Sequence, residues 1–269
     1  MKEKYKFHFV FGLQENFNDK QFCYFHYLNL KSCYITQKNP DIYIHCLYEP
    51  VNNEWWNLAK DFCVIKKYDK LPDKVYNCNN KEVIWLEHKC DIFRLLILKE
   101  FGGVYADIDT IFYKDLFESF GYMDFVMGLE GIYYVGEDSY DINGLCNALI
   151  ISEPDAEFLN IWLEEFDRDY TNDDWNKFAV RVPYEISKKY SDLIHIEPVR
   201  SFHKYNWQEC FYDTTNNEKF CSFMNDSGIF SKHMAESKVF HILKNIDRDY
   251  FNESNSLYSK MCNNIEGLL

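Results

Sequence analysis

The side chains best suited to chemistry are Asp107 and Asp109, two carboxylates separated by Ile108 in the run GGVYADIDT. Carboxylate oxygens select hard divalent cations such as Mg2+ or Mn2+, which commonly keep part of their coordination shell for substrate phosphates. Two clustered carboxylates repel one another, and a cation between them relieves the repulsion. Upstream lie Asp91 and Arg94, three residues apart and therefore neighbours on a helix surface. In isolation a D-x-D also describes a solvated turn, and Asp91–Arg94 a surface ion pair. The elements that hold them decide between these readings.

Those elements are legible. Across His88–Glu100 the apolar residues Ile92, Leu95 and Leu96 recur at helical spacing, so one face packs inward. Gly102 and Gly103 follow, where a left-handed stop is easiest for a residue without Cβ. Val104–Ile108 then reads as a strand. Alternation places Asp107 and Asp109 on one face and Ile108 on the other, so both carboxylates emerge at the strand's carboxyl end. In open α/β sheets that edge is where ligands bind.

The composite D-x-x-R, apolar helix, G-G-V-Y-x-D-x-D resembles the DXD sugar-binding region of retaining glycosyltransferases. That group includes yeast-type α-mannosyltransferases, α-galactosyl- and α-N-acetylglucosaminyltransferases, and clostridial glucosylating toxins. The resemblance implies an α/β fold of GT-A type, a Rossmann-like, mostly parallel central sheet flanked by helices. It implies a nucleotide-sugar donor, a UDP-sugar, with Mn2+ or Mg2+. On this likeness Asp91 and Arg94 contact the donor sugar, while Asp107 and Asp109, flanked by Ala106 and Ile108, hold ribose, sugar and metal. The end of the first strand, Phe9, Val10, Phe11 and Gly12, matches the donor-base region, with Phe11 where relatives often carry Trp. In the run NGLCNALII, Asn147 matches an asparagine near the donor sugar. Towards the C-terminus, His241 in SKVFHIL matches a histidine that completes the metal or diphosphate site, with Leu243 where the family has Trp. Lys244 beside it suits a phosphate as a point charge.

Composition is consistent with this. The formal charge of −14 and the lack of a basic stripe argue against a nucleic-acid partner. Hydrophobic residues make up 47% of 269, enough for a sizeable core. The ten cysteines show no C-x-x-C and no metal-ligand spacing, which fits free thiols in a reducing compartment. MKEKYKFHFVFGL is too short and too soon interrupted for a signal peptide or membrane anchor, so the expected location is the cytoplasm. No G-x-G-x-x-G or P-loop occurs.

Strand and helix patterns alternate along the chain, as a mostly parallel sheet requires. Tyr5–Phe11, Ile42–Leu47 and Cys63–Ile65 read as strands. Phe17–Gln37 reads as a helix that loosens towards its end, and Asn53–Phe62 as one with Trp55, Trp56, Leu58 and Phe62 on its apolar side. Asp69–Glu82 reads as a surface connection. Tyr113–Tyr122 suits a helical turn, Phe125–Leu129 a strand, and Tyr133–Ile142 a loop over the site. Asn143–Ile151 is strand-like. Asp155 suits the cap of a helix running to Phe166, and Thr171–Trp175 the start of another. Pro183–Lys189 fits a helix and Leu193–Val199 a strand. Phe202, Tyr205 and Trp207 form an aromatic cluster that fits either an acceptor groove or a satellite of the core.

The expectation is one catalytic domain spanning 1–269: a metal-dependent hexosyltransferase acting on a glycan, protein or lipid acceptor with retention. Two alternatives use the same residues: a metal-dependent phospho- or nucleotidyltransferase, and a non-catalytic nucleotide-sugar-binding module.

Overall fold

The first strand, β1 (Lys6–Val10), shows how the sequence builds the core. Phe7 and Phe9 point to one face of the sheet and His8 and Val10 to the other, and all four are buried, as a central parallel strand requires. The computed structural model describes residues 5–17, 21–133, 140–202 and 231–233, together with Lys260, Asn263, Ile265 and Gly267. After β1 come α1 (Tyr24–Thr36), β2 (Asp41–Cys46), α2 (Glu54–Ala59) and β3 (Cys63–Lys67). A short helix α3 (Asp73–Tyr76) and a small hairpin, β4 (Asn77–Cys78) with β5 (Lys81–Glu82), lead into the long helix α4 (Leu86–Phe101). Then follow β6 (Gly103–Ala106), β7 (Thr110–Phe112), α5 (Phe117–Phe120), β8 (Phe125–Tyr133) and β9 (Tyr140–Ser152). The remaining elements are α6 (Glu157–Asp169), a π-helical turn at Lys177–Arg181, α7 (Val182–Lys189), β10 (His195–Glu197), α8 (Val199–Phe202) and β11 (Ser231–His233).

Seven strands form the central sheet in the order β10–β8–β9–β6–β1–β2–β3. β1, β2, β3 and β6 pair in parallel, as do β8 and β10, while β9 runs antiparallel to both its neighbours. The mostly parallel sheet flanked by helices is therefore present, with one reversed strand in its middle. Two cores cover its faces. One gathers Val10, Leu98 and Tyr105 against Trp162 and Phe166 of α6. The other gathers Phe7, Phe9 and Ala106 against Leu30 of α1 and Trp56 of α2. Trp56 and Trp162 are wholly buried, each contributing roughly 1.5–3 kcal/mol or more in line with other large side chains.

The glycine stop is as expected. Gly102 ends α4 at φ 59°, and its N–H returns to the Leu98 carbonyl at 2.8 Å. Other local readings give way to tertiary contacts. Asp155 does not cap α6; it adopts φ 55°, and its N–H bonds the Lys99 carbonyl instead. Thr171–Trp175 does not begin a helix, because Asn172 is tethered across the molecule to the Ile84 N–H and the Glu82 carbonyl. Leu58 is exposed, since the six-residue α2 turns Trp56 and Ala59 inward. Tyr133 and Tyr140–Ile142 belong to strands rather than to a loop. Among the described residues no helix is long and apolar enough to cross a membrane.

Candidate active site

The D-x-D lies in a turn, which corrects the expected strand. β6 stops at Ala106, and the Thr110 N–H bonds the Asp107 carbonyl at 3.0 Å. Two further hydrogen bonds hold this turn. The Asp107 N–H bonds the Ala148 carbonyl of β9 at 2.8 Å, and the Asn29 amide of α1 donates to the Ile108 carbonyl at 3.1 Å. The Ile108 side chain is buried, as alternation required. Asp107 and Asp109 consequently both line one cavity of about 330 Å3 at the carboxyl edge of β1 and β6.

Arg94 organises the cavity floor. Its Nη1 lies 2.9 Å from Asp107 Oδ1 and donates to the Asn147 carbonyl at 2.8 Å. Its Nη2 lies 3.1 Å from Asp91 Oδ1. Asn147 Nδ2 donates to the same Asp91 oxygen at 2.7 Å, and the Tyr105 hydroxyl donates to Asp107 Oδ1 at 2.8 Å. The guanidinium also sits over the Tyr105 ring, 4.6 Å from its centre. This is a buried network rather than the surface pair that the spacing alone allowed. Burial raises the Asp91 pKa against the opposing pull of Arg94. Burial works against the charge on Arg94 more than any single neighbour favours it, but Asp107, Tyr105, Cys90 and Asp91 together outweigh burial and keep the guanidinium protonated.

Of the residues expected here, Val10, Phe11, Gly12, Asp91, Arg94, Asp107, Ile108, Asp109 and Asn147 line the cavity together. Phe9 and Ala106 do not. Both are fully buried, because alternation points their side chains into the core under α1 and α2. Phe11 stacks on Phe17, with centroids 5.7 Å apart and planes 16° from parallel, so a pair of rings closes that end. Gly12 has φ 71°, and a Cβ there would meet the Tyr48 carbonyl oxygen at 2.2 Å; only glycine lets the chain turn at this rim. His241 and Lys244 lie outside the described residues, as do Tyr205 and Trp207; Phe202 is a buried core residue.

Several lining residues escaped the sequence reading. Tyr105 was within reach, because it shares strand parity with Asp107. Glu87 was also within reach, one helical turn before Asp91 on α4, whereas Glu130 on β8 and Trp175 come from distant segments and carry no local signal. For a metal, Asp107 and Asp109 offer the oxygen donors a hard cation takes. Among the described residues no group of three or more His, Cys, Asp or Glu side chains is placed to hold a metal ion. Two carboxylates still fit an ion that takes its other ligands from substrate phosphates.

This geometry accompanies clear likenesses to known proteins. Residues 28–126, which include Asp91, Arg94, Asp107 and Asp109, match the family described as a glycosyltransferase sugar-binding region containing a DXD motif. Over 257 residues the chain is 27% identical to glucan organizing enzyme 1 of Cryptococcus neoformans var. grubii, covering 94% of this chain and 68% of that protein. Among solved structures, the WbbM bifunctional glycosyltransferase superposes with a TM-score of 0.53 at 10% identity, over 98% of this chain and 50% of that one. At that identity the likeness speaks for the fold, which is of GT-A type. In both its fold and its DXD region the chain is thus similar to glycosyltransferases.

Proposed function

We propose that the chain acts as one catalytic domain that moves a hexose from a UDP-sugar to a glycan, protein or lipid acceptor, with retention, in the cytoplasm. The observation that carries this reading is the Asp91–Arg94–Asp107 network beside Asn147 and Asp109 on one cavity floor. Phe11 and Phe17 provide an apolar wall for the uracil ring. The Asp91 carboxylate and the Asn147 amide suit sugar hydroxyls, and their burial fixes the orientation from which positioning draws its rate advantage. Arg94, kept cationic in a dry site, favours a leaving diphosphate. Asp107 and Asp109 would hold Mn2+ or Mg2+, which when bound supplies positive charge against the diphosphate.

The bond from the anomeric carbon to the diphosphate oxygen breaks as the acceptor oxygen forms a bond on the same face. The acceptor's hydroxyl proton passes to the departing phosphate oxygen. Donor hydrolysis without acceptor, measured with and without Mn2+, tests the reading most directly. Asp109→Asn is expected to abolish hydrolysis with the fold retained by circular dichroism. An active, metal-independent variant would sink the assignment.

A further inference from the structure

Two tryptophans meet at this cavity, Trp175 lining it and Trp85 packed against Trp175. Trp175 lines the cavity with Glu87 and Asn176, and its ring meets Trp85 with centroids 6.0 Å apart at 70°. Both indoles are about half exposed, 47% for Trp85 and 50% for Trp175. Neither dangles. The Trp85 Nε1–H donates to the Asn172 carbonyl at 3.1 Å, and Trp175 packs on the His88 ring at 5.8 Å, itself held by the Tyr170 hydroxyl at 2.8 Å. Large apolar rings kept rigid and half in water mark a recognition surface rather than a core.

Their position gives them a role. The sheet runs β9–β6–β1 across the site. Phe11 follows β1, whereas the turn after Trp175 packs on β9, where Val180 abuts Gly144. The D-x-D carboxylates, just past the end of β6, therefore lie between the two aromatic ends. One end being taken by the nucleotide, the other faces the acceptor. This step rests on the transferase reading above.

We infer that Trp85 and Trp175 form an acceptor subsite for a glycan chain. A pyranose presents a flat face of C–H bonds ringed by hydroxyls. Each indole offers one ring-sized apolar face, and the Glu87 carboxylate and Asn176 amide beside them offer hydroxyl partners. A lipid would call for a broader continuous apolar surface. The chain's net charge of −14 also opposes docking on an anionic membrane.

Calorimetric titration of the full chain with laminarihexaose, maltohexaose and mannohexaose tests this. At least one hexaose is expected to bind, about tenfold more weakly in Trp175→Ala and in Trp85→Ala, with recovery in Trp175→Phe. Matching circular dichroism and melting curves keep misfolding from imitating the loss. Binding that both alanine variants leave unchanged overturns the inference. So does the absence of binding by every hexaose in a protein whose melting temperature UDP still raises; in that case the transferase reading survives. Tryptophan-dependent hexaose binding in a protein that no nucleotide sugar stabilises has the converse meaning: the glycan subsite stands and the donor reading falls.

Discussion

Arg94 Nη1 and Asp107 Oδ1 are 2.9 Å apart in the floor of the cavity, joining the long helix to the D-x-D turn through a buried charge pair. The Arg94 side chain is only 6% exposed. The guanidinium reaches Asp91, Asp107 and Asn147 at once because its donors fan out in one plane.

That geometry separates two substitutions. Arg94→Ala leaves Asp91 as a buried carboxylate without its counter-charge, and should cost about 3–5 kcal/mol of stability. Arg94→Lys keeps the charge but cannot fork between helix and turn, so it should retain more stability while losing most donor hydrolysis. Urea denaturation beside hydrolysis rates checks both. Equal stability of the two variants would mean that charge and geometry are not separable here.

A second buried cluster governs acid stability. His8 Nδ1 lies 2.9 Å from His45 Nε2, which extends through His45 Nδ1 to the Tyr68 hydroxyl at 2.8 Å; His8 Nε2 meets the Gly102 carbonyl at 3.0 Å. Burial pushes His8 down to about 4. Burial, with His8 adding to it, pushes His45 down to about 3. Below the ordinary histidine value the unfolded chain therefore binds protons that the folded chain refuses. Stability should be level above about pH 6.5 and fall as pH drops toward 4, by roughly 1.4 kcal/mol per pH unit for each histidine. Urea midpoints between pH 7.5 and 4.5 measure the slope, and His45→Gln should remove about one proton's share. A flat profile over that range would refute the account.

Gly103 sets how closely β6 approaches β1. Its φ is 95°, and a Cβ there would sit 2.3 Å from the Lys6 carbonyl oxygen. Gly103→Ala should therefore destabilise the sheet by at least the roughly 1–3 kcal/mol of a strained backbone position. Donor binding should weaken with it, because the D-x-D turn hangs from β6. A variant as stable as the parent in urea would show that β6 can shift to make room.

The stretch from Asp91 to Asp109 was readable because its signals are local: helical spacing of Ile92, Leu95 and Leu96, a double glycine, and one apolar residue between two acids. Where reading failed, distant contacts had overridden local preference. Asp155 has good capping chemistry but is drawn to Lys99, and Asn172 is held by the segment before α4. Phe9 and Ala106 sit beside true lining residues in sequence, yet strand parity turns them into the core. Asn29, which pins the D-x-D turn from 79 residues away, left no trace in the pattern. Nor did Trp175 and Glu130, whose place depends on how β8, β9 and the π-helical turn close over the helix.

The reversed strand β9 has an effect on timing. It enters the sheet between β6 and β8, pairing Val104 with Ile151 and Val126 with the same residue, and it carries the asparagine that fastens Asp91. A nascent polypeptide that has emerged only as far as the D-x-D owns both acids but lacks the wall that seats them. The floor that holds Asp91, Arg94 and Asp107 in place is therefore complete only once β9, which ends at Ser152, has joined the sheet.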